Sequence, residues 1–346
     1  MPLIDTLIEK DFLPDSVIRW GIRRLLKQRL ADERPESAAA RFAKVDAFAA
    51  ELRTLPVAIE TKAANEQHYE VPAAFYKLCL GPRLKYSSCY YALGNETIGE
   101  AEETMLARTC ARAELRDGLE ILELGCGWGS LTLWMADRYP NARITAVSNS
   151  ASQRAHIELE CAQRGFKNVR IITCDMNIFA AEASRFDRVV SVEMFEHMKN
   201  WGELMRRITG WLKPGGKLFF HVFTHKDIAY HFAAKNSTDW MSRHFFTGGI
   251  MPSNCLASRF QEDLKLEQQW EVEGRHYGQT SEHWLQNTDR HREEILRIFA
   301  QTYGEDRAKA WLANWRVFFM ACAELWNFRG GAEWMVCHYR FAKRAG

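Results

Sequence analysis

Long apolar runs are missing from this 346-residue sequence. No window of about 18 residues is free of charge, so no membrane-spanning helix is expected. Paired cysteines are missing too. The nine cysteines are scattered without a C-x-x-C pair, which argues against a zinc ribbon or disulfide framework and for free thiols in the cytoplasm. An excess of one charge is also lacking: 46 basic against 44 acidic residues leave a net +2, and nothing in that balance asks for nucleic acid as a partner. The opening "MPLIDTLIEKDF" carries acids and has no basic stretch leading into an apolar core, so a secretory signal is not expected. Internal repeats and low-complexity segments are absent. What is present is ordinary globular composition, in a chain long enough for a full core and roughly two domains.

The pattern divides the chain at residues 1–105, 106–225 and 226–346. The first region reads as helices. In "DSVIRWGIRRLLKQRL" the residues Val17, Ile18, Ile22, Leu25, Leu26 and Leu30 recur at helical spacing, with Arg23, Arg24, Lys27 and Arg29 between them. Such a helix can touch anionic lipid peripherally; docking on the domain with its basic face in water is the preferred reading. The second region alternates short apolar strands ("LEILELGCG", "ARITAVSNS", "VRIITCD", "FDRVVSVEM", "KLFFHVF") with helices. That alternation predicts an α/β fold whose parallel sheet is covered on both faces. In such sheets the ligand sits beyond the carboxyl ends of the strands. "LKLEQQWEVEG" and "EWMVCHYRFAK" add two strands, making seven, around helices expected at about 280–327. The aromatic stretch after residue 225, with Tyr230, Phe232, Trp240, Phe245 and Phe246, is expected as an insertion covering the site.

Two motifs carry chemistry. "ILELGCGWGS" places Gly125, Gly127 and Gly129 between a strand and a helix, where glycine permits a tight turn and close approach of a ligand to the backbone. A dinucleotide site would want G-x-G-x-x-G and an acid at the end of the next strand. Here the spacing is G-x-G-x-G, the next strand ends in Ser148-Asn149, and the acid, Glu123, precedes the loop. A carboxylate there suits a cofactor carrying an ammonium group, which favours S-adenosylmethionine over a dinucleotide or an empty glycine turn. The second motif, "VVSVEMFEHM", ends a strand with Glu193, Glu196 and His197. On an isolated helix these acids could simply decorate a first turn; at a strand's carboxyl end beside a cofactor loop they read as a site. His225 and His231 lack a third ligand nearby in sequence, so pocket or core histidines are preferred over a metal centre and no metal is expected.

The chain resembles the class I S-adenosylmethionine-dependent methyltransferases, with a Rossmann-like, mostly parallel seven-stranded sheet. More narrowly it is similar to the cyclopropane fatty-acid synthases and the N-methyltransferases related to coclaurine N-methyltransferase. The likeness rests on "NEQHYEVPAAFY", "LKYSSCYY", "LELGCGWGS", "EMFEHMKNWG", "FFTGGIMPS", "HYGQTSEHWL" and "EWMVCHYRF". It implies N-terminal helices, a cofactor-covering segment and a helical lid. It also implies that Tyr86 and Ser87 meet the methionine part of the cofactor, the three loop glycines its backbone-facing side, Ser148, Asn149 and Gln153 its ribose, and Asp175 and Met176 its adenine. Ser88, His221, Tyr230, Phe246 and Tyr277 are expected at the substrate. The cyclopropane branch resembles "YSCAY", with a cysteine near a bound bicarbonate, and has a small residue where this chain has Glu193. "YSSCY" and "EMFEHM" resemble the amine branch.

Amine chemistry gives the carboxylates work. An alkylamine of pKa about 10.4 is neutral in only roughly one molecule in a thousand at pH 7.4, a deficit of about 4 kcal/mol. The expectation is that Glu193 attracts the ammonium while Glu196 and His197 take the proton. In a cyclopropane synthase, an added Glu193 about 5 Å from bicarbonate would cost about 3 kcal/mol at an effective dielectric of 20. The expected partner is therefore a small, aromatic amine, with phospholipid as the alternative, and a homodimer is compatible with the sequence. A cofactor-binding scaffold without chemistry is the third reading.

Overall fold

The computed structural model describes residues 7–10, 12–59, 71–232, 245 and 248–344. Its centre is a seven-stranded sheet built from β1 (Glu120–Leu124), β2 (Arg143–Ser148), β3 (Val169–Thr173), β4 (Phe186–Val192), β5 (Leu212–His225), β8 (Leu264–Val272) and β9 (Trp334–Lys343). The order is β3-β2-β1-β4-β5-β9-β8. The first five strands are mutually parallel, and β9 is antiparallel between β5 and β8. Every residue of β1 is buried, as expected of a parallel strand covered on both faces.

The connecting helices show why these segments fold as they do. In α7 (Trp201–Trp211), Trp201, Leu204, Met205, Ile208 and Trp211 are buried on one stripe, the 3.6-residue period of a helix lying on a sheet. Asn200 caps it, its side chain accepting from Glu203 N. The helix α4 (Ile98–Arg112) starts in a reciprocal Thr97–Glu100 capping box and runs across residue 105. The helix α6 (Ala151–Arg164) ends on Gly165, whose φ of 73° closes the last turn.

Two helices precede this core, α1 (Asp15–Glu33) and α2 (Ala38–Leu52), followed by a short α3 (Ala73–Cys79). Ile18, Ile22, Leu26 and Leu30 of α1 pack into an apolar cluster with the C-terminal helices, and Arg19 and Arg23 pair with Glu324. Val17 and Leu25, expected on the same buried face, are exposed together with Trp20. The helical repeat explains this: the stripe facing the C-terminal helices is too narrow to hold all six apolar positions. No helix among the described residues is long and apolar enough to cross a membrane.

The C-terminal helices are three, α8 (Gly274–Arg290), α9 (Arg292–Tyr303) and α10 (Glu305–Asn327), so the helical stretch begins earlier than its sequence pattern suggested. Residues 233–244, 246 and 247 of the expected helical lid, Trp240 and Phe246 among them, lie outside the described residues. Its two ends are held together by β6 (Tyr230–His231) and β7 (Ile250–Met251), which pair antiparallel. All nine cysteine thiols are free.

Candidate active site

The carboxyl ends of β1, β2, β4 and β5 open on a cavity of about 230 Å³. The loop after β1 forms its floor. Gly125 and Gly127 have φ of 80° and 52°, in the left-handed region that side chains disfavour. A Cβ on Gly125 would lie 2.8 Å from Met194 Cβ, whereas one on Gly127 would meet nothing within 4 Å, because the backbone there faces open cavity. Gly125→Ala is therefore expected to cost about 1–3 kcal/mol of stability and to weaken S-adenosylhomocysteine binding on the order of tenfold, by calorimetry. Gly129 does not line this cavity. It is the left-handed cap of α5 (Ser130–Arg138), and a Cβ there would press on Ile157, so its glycine serves packing between α5 and α6.

The remaining cofactor positions converge. Tyr86, Ser87, Ser148, Asn149 and Gln153 all line the cavity, as do Asp175 and Met176. Ser148 Oγ donates to Gln153 Oε1 at 2.7 Å and accepts from Ser150 N at 3.0 Å, which holds the end of β2 rigid. Glu123 also lines the cavity. Burial pushes its carboxyl up to about 8, against the hydrogen bond from Thr132. A buried acid with that cost is what an incoming ammonium group would relieve.

Across the cavity, Glu193 follows β4 with φ 47°, a conformation that costs a non-glycine residue about 1–2 kcal/mol and turns its side chain inward. Its carboxylate collects three donors. Ser88 N and His221 Nε2 reach Oε1, each at 3.1 Å, and Tyr277 OH donates to Oε2 at 2.6 Å. Burial raises its pKa, while Lys85, Tyr277 and the Ser88 amide pull it down. Glu196 has the opposite surroundings. It is 1% exposed, its Oε2 has no hydrogen-bond partner, and burial with the neighbouring Glu193 charge drives its pKa well above the carboxylate range. Glu196 and His197 line the cavity with Glu193, both on a single 3-10 turn at Phe195–His197.

The expected substrate positions that the structure describes separate into three groups. Tyr277 lines the cavity. Ser88 and His221 are buried behind Glu193 and act on it. Tyr230 is not at the cavity: its OH accepts from Trp334 Nε1 at 3.3 Å within the C-terminal apolar cluster, because the β6–β7 pairing turns it into the core. Phe246 lies outside the described residues. Opposite the carboxylates stands an apolar wall of Phe223, Phe232, Trp284, Phe318 and Trp326. The indole Nε1 atoms of Trp284 and Trp326 are buried without partners.

Sequence reasoning missed Lys85. It is 2% exposed, lines the cavity, and donates to Ser87 Oγ and Ser88 O. Its place directly before "YSS" was the available signal. Among the described residues the pair His225 and His231 gains no third ligand; instead His225 comes together with Asp227 and Glu333. The group is already filled by cations, however: Arg34, Lys226 and Arg329 pair with Glu333. His231 sits apart between Lys199 and Glu51.

Buried acids and histidines give the fold a pH signature. Glu102 is raised to about 7, by burial against backbone hydrogen bonds from Arg83 and Lys85, and Glu123 to about 8. From an ordinary 4.5 up to those values the folded state holds protons the unfolded chain has lost, so stability falls as pH rises. His156, His225, His276, His283 and His338 are held below 6.5, chiefly by burial, so they act oppositely below that pH. Thermal unfolding should show a maximum at about pH 6.5 and a decline towards about pH 8.5, shallower in Glu123→Gln. A midpoint rising over that upper range would contradict it.

The sheet order, the glycine loop and the acids at the strand ends define a class I S-adenosylmethionine-dependent methyltransferase. Comparison with known proteins narrows this. The family described as mycolic acid cyclopropane synthetase matches residues 58–332, and the chain belongs to that family. It is 36% identical over 341 residues to (S)-coclaurine N-methyltransferase of Thalictrum flavum subsp. glaucum, covering 97% of this chain and 94% of that one. It is 26% identical over 286 residues to the cyclopropane-fatty-acyl-phospholipid synthase of Escherichia coli, covering 80% and 67%. A crystal structure of coclaurine N-methyltransferase bound to N-methylheliamine and SAH superposes with a TM-score of 0.95 at 34% identity, covering 98% of this chain and 99% of that one.

Proposed function

We propose that this enzyme transfers a methyl group from S-adenosylmethionine to the nitrogen of a small aromatic amine of the coclaurine kind. Bound over the glycine loop, the cofactor supplies an electrophilic methyl on a sulfonium. The protein's own residues must deliver a neutral amine to it. Burial raises Glu193 to about 7, and its three donors and Lys85 oppose that rise in favour of the carboxylate, which keeps one lone pair on Oε2 for the incoming cation. Glu196, buried with an oxygen unbonded, is the observation that carries the reading. Each unit by which its pKa rises closes about 1.4 kcal/mol of the gap to an alkylammonium, which makes it a proton acceptor with His197 alongside. Two carboxylates whose surroundings push their pKa values apart divide the roles of charge and base. The aromatic wall favours a cation attached to a ring system through cation–π contact, and positioning supplies much of the rate.

The lipid alternative needs a free anion such as bicarbonate to take the proton. The donors that would hold one, Ser88 N, His221 Nε2 and Tyr277 OH, are occupied by the carboxylate of Glu193 itself. Incubation with methyl-labelled S-adenosylmethionine and either coclaurine, an aliphatic amine or phospholipid vesicles tests the choice. Label on coclaurine is expected; label found only in extracted lipid would overturn it.

A further inference from the structure

The carboxylate of Glu193 is the end of a hydrogen-bond chain that crosses two strands. Arg112 Nη1 lies 2.9 Å from His338 Nδ1, His338 Nε2 lies 2.9 Å from His221 Nδ1, and His221 Nε2 lies 3.1 Å from Glu193 Oε1. His221 and His338 are register partners on β5 and β9, so both rings project from the same face. Their residues are 1% and 0% exposed. We propose that Arg112 and His338 are positioning residues, and that this chain, read from Arg112 to Glu193, points every N–H at the amine-binding carboxylate.

The direction follows from valence. A guanidinium only donates, so His338 Nδ1 must accept from Arg112. A neutral imidazole then carries its proton on Nε2, which donates to His221 Nδ1. That leaves the proton of His221 on its own Nε2, aimed at Glu193. Both rings are neutral, because burial and the cations Lys85 and Arg112 oppose a further charge. Reversing either ring would set a donor against the guanidinium or a bare nitrogen against the carboxylate. Arg112 is itself fixed at the end of α4, where it stacks 5.1 Å from the Trp270 ring.

The charged and titratable groups around the chain are few. Lys85, Tyr277, His221, Glu196 and the buried thiols Cys89 and Cys322 bear on Glu193, and Arg108, Arg112, Lys85 and His221 bear on His338. Arg112 sets the tautomer of His338 from one end, and Glu193, through His221, demands the same tautomer from the other. Neither histidine lies in either motif that marks the site in sequence, and His338 is joined to His221 only across 117 positions.

The inference rests on the role proposed for Glu193, and its first test does not. Nitrogen-15 NMR of the histidine-labelled protein should show both His221 and His338 as Nε2–H tautomers at neutral pH, whatever the methyl acceptor; an Nδ1–H tautomer at either ring would overturn the chain. Kinetics form the second test. His338→Leu frees His221 to rotate its proton away, so the acid limb of kcat/KM for the amine should move up by about one unit and kcat should fall on the order of tenfold. His338→Gln should restore both, since an amide accepts from Arg112 and donates to His221 as imidazole does. Arg112→Met should behave as the leucine variant and covers the case in which that variant does not fold. Equal pH profiles for leucine and glutamine would reduce His338 to packing and refute the proposal.

Discussion

Replacing Glu196 by glutamine is expected to lower kcat by roughly 10²–10⁴-fold, the usual contribution of a positioned base, while raising thermal stability. The two outcomes share one cause. The carboxylate is buried with Oε2 unbonded, so the folded state bears the cost of a desolvated acid. An amide of the same shape removes that cost and the proton acceptor together. Binding of S-adenosylhomocysteine should stay unchanged, because the substitution leaves the glycine loop intact. Single-turnover transfer of labelled methyl across pH provides the check. The wild-type acid limb should vanish in the variant, and the residual rate should follow deprotonation of the free amine. An unaltered limb would assign the proton elsewhere, and His197 would be the next residue to examine.

Glu193→Gln should lower kcat/KM for the amine on the order of 10²-fold, with most of the change in KM. A unit charge about 5 Å from an ammonium is worth about 3 kcal/mol at an effective dielectric of 20. Glutamine keeps an oxygen for Ser88 N and His221 Nε2 and offers its amide to Tyr277, so folding should survive. A second consequence separates charge from shape. The Glu193 charge is among the causes that raise Glu196, so the variant should shift the acid limb downward as its base becomes weaker. The effects of the two glutamine substitutions should not add, as expected of groups that act together. Glu193→Gly would relieve the strained backbone at φ 47° and still lose activity, because the three donors would then have no carboxylate to hold. Full activity in the glutamine variant would remove the anchoring role.

The parallel core, the glycine loop and the acid-rich strand end were legible because their signals are local. A strand's burial is written in a run such as "EILEL", and the ligand end of a parallel sheet follows from connectivity alone. The expected cofactor positions Gly125, Gly127, Ser148, Asn149, Asp175 and Met176 fall at such ends, and with Tyr86, Ser87 and Gln153 they meet at one cavity. Tyr230 packs in the core, a placement that sequence does not mark because nothing in it says which way a two-residue strand pair will turn an aromatic. Gly129 is a left-handed helix cap, a role that sequence does not separate from a ligand contact because both call for glycine.

What residue order determined here was the fold class, the cofactor and the set of acids available for proton chemistry, since period, glycine spacing and strand ends act over a few residues. Which acid is solvated by donors and which stands bare was decided only by tertiary packing. Ser88, His221 and Tyr277 lie 105, 28 and 84 positions from Glu193, and the protonation of a carboxyl depends on the groups within hydrogen-bond reach, however far along the chain they originate.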